Sequence, residues 1–299
     1  MKMKKPGRLL TAMVTPMKEN GSVDYDQARI LANKLIDSGS DGVVVVGTTG
    51  ESPTLVRAEE LKLFAEVKDA IGGRASVIAG TGSNSTAEAV ETTVQAEETG
   101  VDACLLVVPY YNKPSQEGLY QHFKAIAEAT SLPCILYNVP SRTVANLSAE
   151  TTIRLSHIDN IIGTKEASGN FQEIAKIIGS TKDDFKVWSG NDEDTLPLLS
   201  IGAYGVVSVV SHLAGKQIKD MIESFLACDI KRAAGIHYSL MPLFKNMFIT
   251  ANPCPLKYAL NYLGFHVGKP RLPLVEPDEA SAAIIRKVLD NSVIDLPLP

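Results

Sequence analysis

Short apolar runs rich in β-branched residues recur eight times along this chain, each followed by a polar loop and a segment of helical period. The runs are LLTAMVTP, GVVVVGTTG, ASVIAGTG, DACLLVVPYY, PCILYNVP, NIIGTKEA, FKVWSGN and GVVSVVS. Strands joined by helical crossovers must pair in parallel with right-handed connections, which leaves few folds. The runs are continuously apolar rather than alternating, as strands covered on both faces are. Eight such units predict an α/β fold of the closed (β/α)8 TIM-barrel type, although six to eight units are also compatible with an open sheet. The intervening segments DYDQARILANKLIDSG and TAEAVETTVQAEETG end in Gly39 and Gly100, which read as helix C-caps. Beyond residue 228 the strand pattern stops, and AAGIHYSLMPLFKNMFI, NPCPLKYALNYLG and EPDEASAAIIRKVLDN read as helices. The expected organisation is a barrel over 1–228 and a C-terminal helical domain over 229–299.

Several function classes are disfavoured. A net charge of -5 gives no basic surface for nucleic acid or an anionic membrane. No run of 18 apolar residues exists, so no transmembrane helix is expected. The start, MKMKKPGRLLTAMVTPM, is basic but lacks a long apolar stretch and a cleavage site, and reads into the first strand rather than as a signal peptide. Cys104, Cys134, Cys228 and Cys254 form no C-x-x-C pair, which suits a reducing cytoplasm better than a disulfide framework. His122, His157, His212, His237 and His266 show no metal-ligand spacing, so no metal is expected.

Active sites of such barrels gather at the C-terminal ends of the strands. There lie Thr48 and Thr49 in GTTGES, Tyr110 and Tyr111 in PYYNKP, Tyr137 and Arg142 in LYNVPSRT, and Lys165 at the end of NIIGTKEA. Lys165 ends an apolar run, where an ammonium must find a partner or lose its proton. One reading is a lysine that snorkels or pairs with a carboxylate. Glu166, its neighbour in sequence, would face the other way, because successive strand residues alternate. The other reading is an amine freed by burial to attack a carbonyl and form a Schiff base. Tyr137 is then either a core aromatic or a proton shuttle for that imine. The GTTGES loop can be a tight turn with Ser52 or Thr54 capping the next helix, or a nest of N–H groups for a carboxylate. Arg142 is either a surface residue or a fork for a second carboxylate. AGTGSNS, with Asp102 about 20 residues on, is an incomplete dinucleotide fingerprint, with Ser85 where its last glycine belongs.

GTTGES, PYYNKP, YNVPSRT, GTKEASG and NPCPLK, in this order, closely resemble the dihydrodipicolinate synthase and N-acetylneuraminate lyase family of pyruvate-dependent class I aldolases. The resemblance covers essentially the whole chain. It implies that Lys165 forms an imine with pyruvate, without metal or organic cofactor, and that Tyr137 relays protons. Thr48 would link Tyr137 to Tyr111, a residue the family donates across a tight dimer interface, usually within a homotetramer of such dimers. Thr48 and Thr49 would hold the pyruvate carboxylate, Val207 would lie against the imine, and Arg142 would receive the carboxylate of aspartate 4-semialdehyde. The implied product is 4-hydroxy-tetrahydrodipicolinate, an intermediate toward diaminopimelate and lysine. A sugar-aldehyde lyase, a 2-keto-3-deoxy acid aldolase and a non-catalytic keto-acid binder remain alternatives. Ser52, Asn84, Glu88 and Tyr110 match the site where lysine-sensitive members bind lysine. Arg57 and Glu60 depart from it, since histidines are common at those places, and a fixed cation at Arg57 implies weak or absent lysine inhibition.

Overall fold

The computed structural model describes residues 6–297. The basic start, residues 1–5, lies outside the described residues. Each of the eight apolar runs contains one strand: β1 (Leu9–Ala12), β2 (Gly42–Val45), β3 (Ser76–Gly80), β4 (Ala103–Val107), β5 (Cys134–Asn138), β6 (Ile161–Glu166), β7 (Lys186–Ser189) and β8 (Gly205–Ser208). All neighbours pair in parallel in sequence order, and β8 returns to β1, so the sheet is a closed barrel rather than an open one. Sterically, the continuous apolar pattern has its reason: every residue of β1, β2, β5 and β8 is buried, with barrel contents on one side and helices on the other.

The outer layer comprises α1 (Tyr25–Asp37), α2 (Arg57–Ile71), α3 (Thr86–Glu98), α4 (Gln116–Glu128), the single turn α5 (Pro140–Thr143), α6 (Ala149–Leu155), α7 (Phe171–Ser180), α8 (Thr195–Ser200) and α9 (Ser211–Leu226). Side chains of Asp24, Ser85, Ser115, Ser148 and Asn170 accept N–H groups at the starts of α1, α3, α4, α6 and α7, satisfying donors that no helical carbonyl reaches. The start of α2 differs from expectation. Ser52 and Thr54 lie in a separate 3-10 turn, and it is the Glu59 carboxylate that accepts the Val56 N–H at 3.1 Å. Cys104 and Cys134 are register partners on β4 and β5 and are buried free thiols, as their apolar settings imply.

The helices α10 (Ile230–Asn246), α11 (Cys254–Tyr262) and α12 (Glu279–Asp290) follow, with α10 packed along α9. The chain then returns to the barrel, where the Asp295 carboxylate accepts Ser38 Oγ at 2.7 Å and the Lys216 and Gln217 N–H groups at 3.2 and 3.1 Å. The α10–α11 connection, through Phe248 and Asn252, lies across the C-terminal rim, and this brings a distant part of the sequence to the site.

Strand β3 is placed so closely that it admits no side chain at its end. A Cβ on Gly80 would stand 2.3 Å from the carbonyl oxygen of Val46, a backbone atom that cannot swing aside. Val46 is already held at φ 60°, a region β-branched residues avoid. Gly80→Ala is therefore expected to lower stability by about 2–3 kcal/mol, through overpacking against fixed backbone. Chemical denaturation compared with Gly73→Ala, where a Cβ would meet nothing within 4 Å, checks this; equal midpoints would refute it.

Candidate active site

Parallel registry sets the centre of the site. Tyr137 on β5 and Lys165 on β6 are direct register partners, so both side chains leave the sheet on the same face. Both lie within the last turns of their strands rather than just past them, one residue before Asn138 and Glu166. The Lys165 Nζ stands 4.1 Å from the centre of the Tyr137 ring, and Lys165 is only 6% exposed. Among the described residues it has no ion-pair partner and no hydrogen bond. Glu166 does face away, as alternation requires. Its carboxylate accepts Asn138 Nδ2 at 3.1 Å and the Ser168 N–H at 2.8 Å, and burial pushes its pKa up against those bonds. The pairing reading of Lys165 thus loses its obvious partner.

A cavity of about 130 Å³ opens over these two side chains. Its wall includes Thr48 and Thr49 from the β2–α2 loop, Arg142 from α5, Gly190 and Asn191 past β7, and Asn252 from the α10–α11 connection. Thr49 is buried, and its Oγ1 accepts Asn252 Nδ2 at 2.8 Å, which leaves the hydroxyl proton free to donate into the cavity. The Asn252 Oδ1 is buried without a partner, an acceptor available to a ligand N–H. Arg142 is exposed at the mouth, and its guanidinium pairs with nothing among the described residues. Behind β8, the fully buried Asp192 accepts the Val209 and Val210 N–H groups at 3.0 and 3.1 Å and the Ser208 hydroxyl. Burial pushes Asp192 up, and the Lys165 charge opposes that rise.

Not every expected residue meets in this cavity. Val207 is buried inside β8 opposite Leu10, and Val209 is the residue there that reaches the wall. Tyr111 projects away at 88% exposure with φ 75°, so in a single chain it does not contribute. Ser52, Glu88 and Tyr110 line a separate hollow of about 280 Å³ together with Arg57 and Glu60. Asn84 stands outside that hollow, ahead of the Ser85 cap of α3, and binds the Tyr110 carbonyl at 3.1 Å. The incomplete dinucleotide fingerprint is structural: the Asp102 carboxylate is occupied by Lys68 Nζ at 2.7 Å and the Val77 N–H at 2.8 Å.

Asn252, Asn191 and Asp192 escaped sequence reasoning. NPCPLK was legible as a break between helices, but nothing in its composition says that the break lies across the rim.

A closed barrel with one buried, unpaired lysine over a tyrosine ring at its C-terminal rim is the arrangement of a class I aldolase. The sequence profile of the Dihydrodipicolinate synthetase family matches residues 5–292, and the chain belongs to that family. It is similar to the 4-hydroxy-tetrahydrodipicolinate synthase of Dehalococcoides mccartyi, 64% identical over 99% of this chain and 100% of that one. The Moorella thermoacetica relative of the same name is 56% identical over 94% of this chain and 98% of its own. Among solved structures, a dihydrodipicolinate synthase from Bacillus anthracis superposes with TM-score 0.95 at 46% identity, covering 96% of this chain and 99% of its own. One from Cyanidioschyzon merolae with lysine bound gives 0.94 at 49%, covering 95% and 97%.

Proposed function

We propose that this chain condenses pyruvate with L-aspartate 4-semialdehyde to 4-hydroxy-tetrahydrodipicolinate, on the route to diaminopimelate and lysine. The observation that carries the reading is Lys165, buried and unpaired over Tyr137 in a cavity with carboxylate-binding groups on two sides. Thr48 and the free Thr49 hydroxyl proton take the pyruvate carboxylate on one side. Lys165 Nζ adds to C2, and loss of water leaves an imine. A proton then leaves the methyl carbon, and the resulting enamine attacks the aldehyde carbon. The new alkoxide takes a proton, and the amino group of the adduct adds to C2, closing the ring and releasing Lys165. Each proton moves at or beside the imine, and Tyr137, whose ring centre lies 4.1 Å from Lys165 Nζ, is the acid–base group assigned to carry it. The reading needs no cofactor, because the iminium on Lys165 is the electron sink.

Arg142 is the unpaired cation at the mouth, suited to the carboxylate of the semialdehyde. That favours a carboxylated aldehyde over the neutral sugar of a lyase. Tyr111, in this reading, enters the site of a second copy, and the working form is a homotetramer of tight dimers. The exposed position of Tyr111 supports this. We place the enzyme in the cytoplasm; no helix of the described residues is long and apolar enough to cross a membrane. The barrel over 1–228 then carries the imine chemistry and the helical part over 229–299 completes the rim. The test is pyruvate loss with aspartate 4-semialdehyde, N-acetylmannosamine or glyceraldehyde as the second substrate. Rapid loss with the semialdehyde alone supports the reading, and loss with a sugar aldehyde refutes it.

Regulation by lysine is expected to be weak or absent. The Arg57 Nε lies 3.4 Å from Glu60 Oε2 inside the hollow matched to the lysine site, and its Nη1 is buried without a hydrogen bond. A lysine ammonium entering there would meet a fixed guanidinium. Burial pushes the Glu60 carboxyl up to about 7, so at neutral pH it offers less than a full negative charge in return. Calorimetric titration with lysine should give no binding heat below roughly millimolar concentration. Micromolar binding would refute this.

A further inference from the structure

The β2–α2 loop that carries Thr48 and Thr49 is strained at both ends. Val46 has φ 60°, and Glu51 has φ 60° and ψ 35°, a left-handed conformation unusual for either residue type. Such strain persists only when the surroundings over-determine it. At Glu51 the surroundings are distant in sequence. Its Oε1 accepts Lys257 Nζ from α11 at 2.7 Å, and its Oε2 accepts the Arg271 N–H at 2.7 Å. Both Glu51 and Lys257 have side chains only 1% exposed. The Lys257 ammonium also donates to the Lys269 carbonyl at 3.0 Å, and the Arg271 guanidinium holds Glu59 and the Thr54 carbonyl. A buried ion pair of this kind is a poor device for stability, since desolvation offsets its attraction. Its geometry specifies one position of the loop: the Glu51 N–H closes the turn on the Thr48 carbonyl at 3.1 Å. Neither Glu51 nor Lys257 lines the cavity, so neither can touch substrate.

We propose that Glu51 and Lys257 are positioning residues for the reaction: the buried pair locks the Thr48–Glu51 turn from the C-terminal helices and thereby sets the pyruvate carboxylate site. This rests on the pyruvate reading given above. The relay runs from Lys257 through the Glu51 carboxylate to the Glu51 N–H and the Thr48 carbonyl, with Asn252 bracing Thr49 from the same C-terminal part.

The decisive experiment is borohydride trapping of pyruvate on Lys165, read by intact mass across a pyruvate series, for the wild type, Glu51→Gln and Lys257→Met. In Glu51→Gln one of the two donors faces an amide N–H, so the clamp loosens without loss of volume. The half-saturating pyruvate concentration should rise about tenfold or more in both variants, because small displacements of a binding group are costly. The KM for the semialdehyde and kcat at saturating pyruvate should stay within about threefold, a split that general destabilisation would not produce. Unchanged half-saturation in variants that keep the wild-type near-UV circular dichroism overturns the proposal. If Lys257→Met does not fold, Glu51→Gln decides alone; if neither folds, the pair is a folding determinant and the proposal falls. Wild type that is not trapped at all would refute the pyruvate reading itself, which is a distinguishable result.

Discussion

Lys165→Ala should eliminate turnover, by about 10⁴-fold or more, and leave the fold at least as stable as the wild type. The two halves of this expectation come from the same observation. Lys165 is buried and has neither an ion pair nor a hydrogen bond among the described residues. A structural lysine in that position would be paired, and its removal would strand a partner and destabilise the barrel. Here no hydrogen-bond or ion-pair partner is stranded, and Asp192, which loses the favourable Lys165 charge, keeps its three donors. Alanine deletes a charged group from a buried place, and relief of that desolvation offsets the lost contact of Nζ with the Tyr137 ring at 4.1 Å, so stability should hold or rise. Chemistry should fail outright, because no other amine lines the cavity. Pyruvate plus borohydride should add one pyruvate-derived adduct to the wild type and none to the variant. A variant that is markedly less stable but still traps pyruvate would show that Lys165 is a structural residue and that the imine forms elsewhere.

What the sequence disclosed, and what it hid, follows from how far each signal reaches. The strands were legible because a segment buried on both faces must be apolar along its whole length, as GVVVV and ACLLV are. The rim residues followed from the barrel, since chain order alone says which loops share its C-terminal face. The closure of β8 on β1 could not be read locally; it depends on pairing between segments about 200 residues apart, for which periodicity carries no signal. The same limit hid Glu51–Lys257 and Thr49–Asn252, whose partners are separated by 206 and 203 residues. Glu51 passed unmarked within GTTGES because nothing in a sequence marks a non-glycine residue with positive φ. Ser52 and Thr54 misled for a related reason. Both can cap a helix, but the chain makes one more turn before α2 begins, and Glu59 does the work from inside the helix.

The second large effect should come from removing a single oxygen. In Tyr137→Phe, kcat is expected to fall by about 10²–10⁴-fold, the usual contribution of a positioned proton-transfer group. Phenylalanine keeps the ring, its burial and the face presented to Lys165, so packing and the placement of the amine are preserved. The hydroxyl has no hydrogen-bond partner among the described residues, so its loss strands no buried donor or acceptor in the single chain. Any large loss must then come from proton movement. The defect should appear at every step that moves a proton, namely dehydration of the carbinolamine, formation of the enamine and protonation of the new alkoxide. Trapping should still reach one adduct per chain at long times, because Lys165 is intact, but its rate should fall along with kcat. Slow trapping to the same final mass separates Tyr137 from Lys165, whose loss abolishes trapping. It also separates Tyr137 from Arg142, whose loss should spare trapping altogether, since that guanidinium serves the second substrate. If Tyr137→Phe turned over within about threefold of the wild type, the ring would be a packing element and the proton would have to travel by another route, with Thr48 and Ser141 the hydroxyls in the wall that are not already accepting from Asn252.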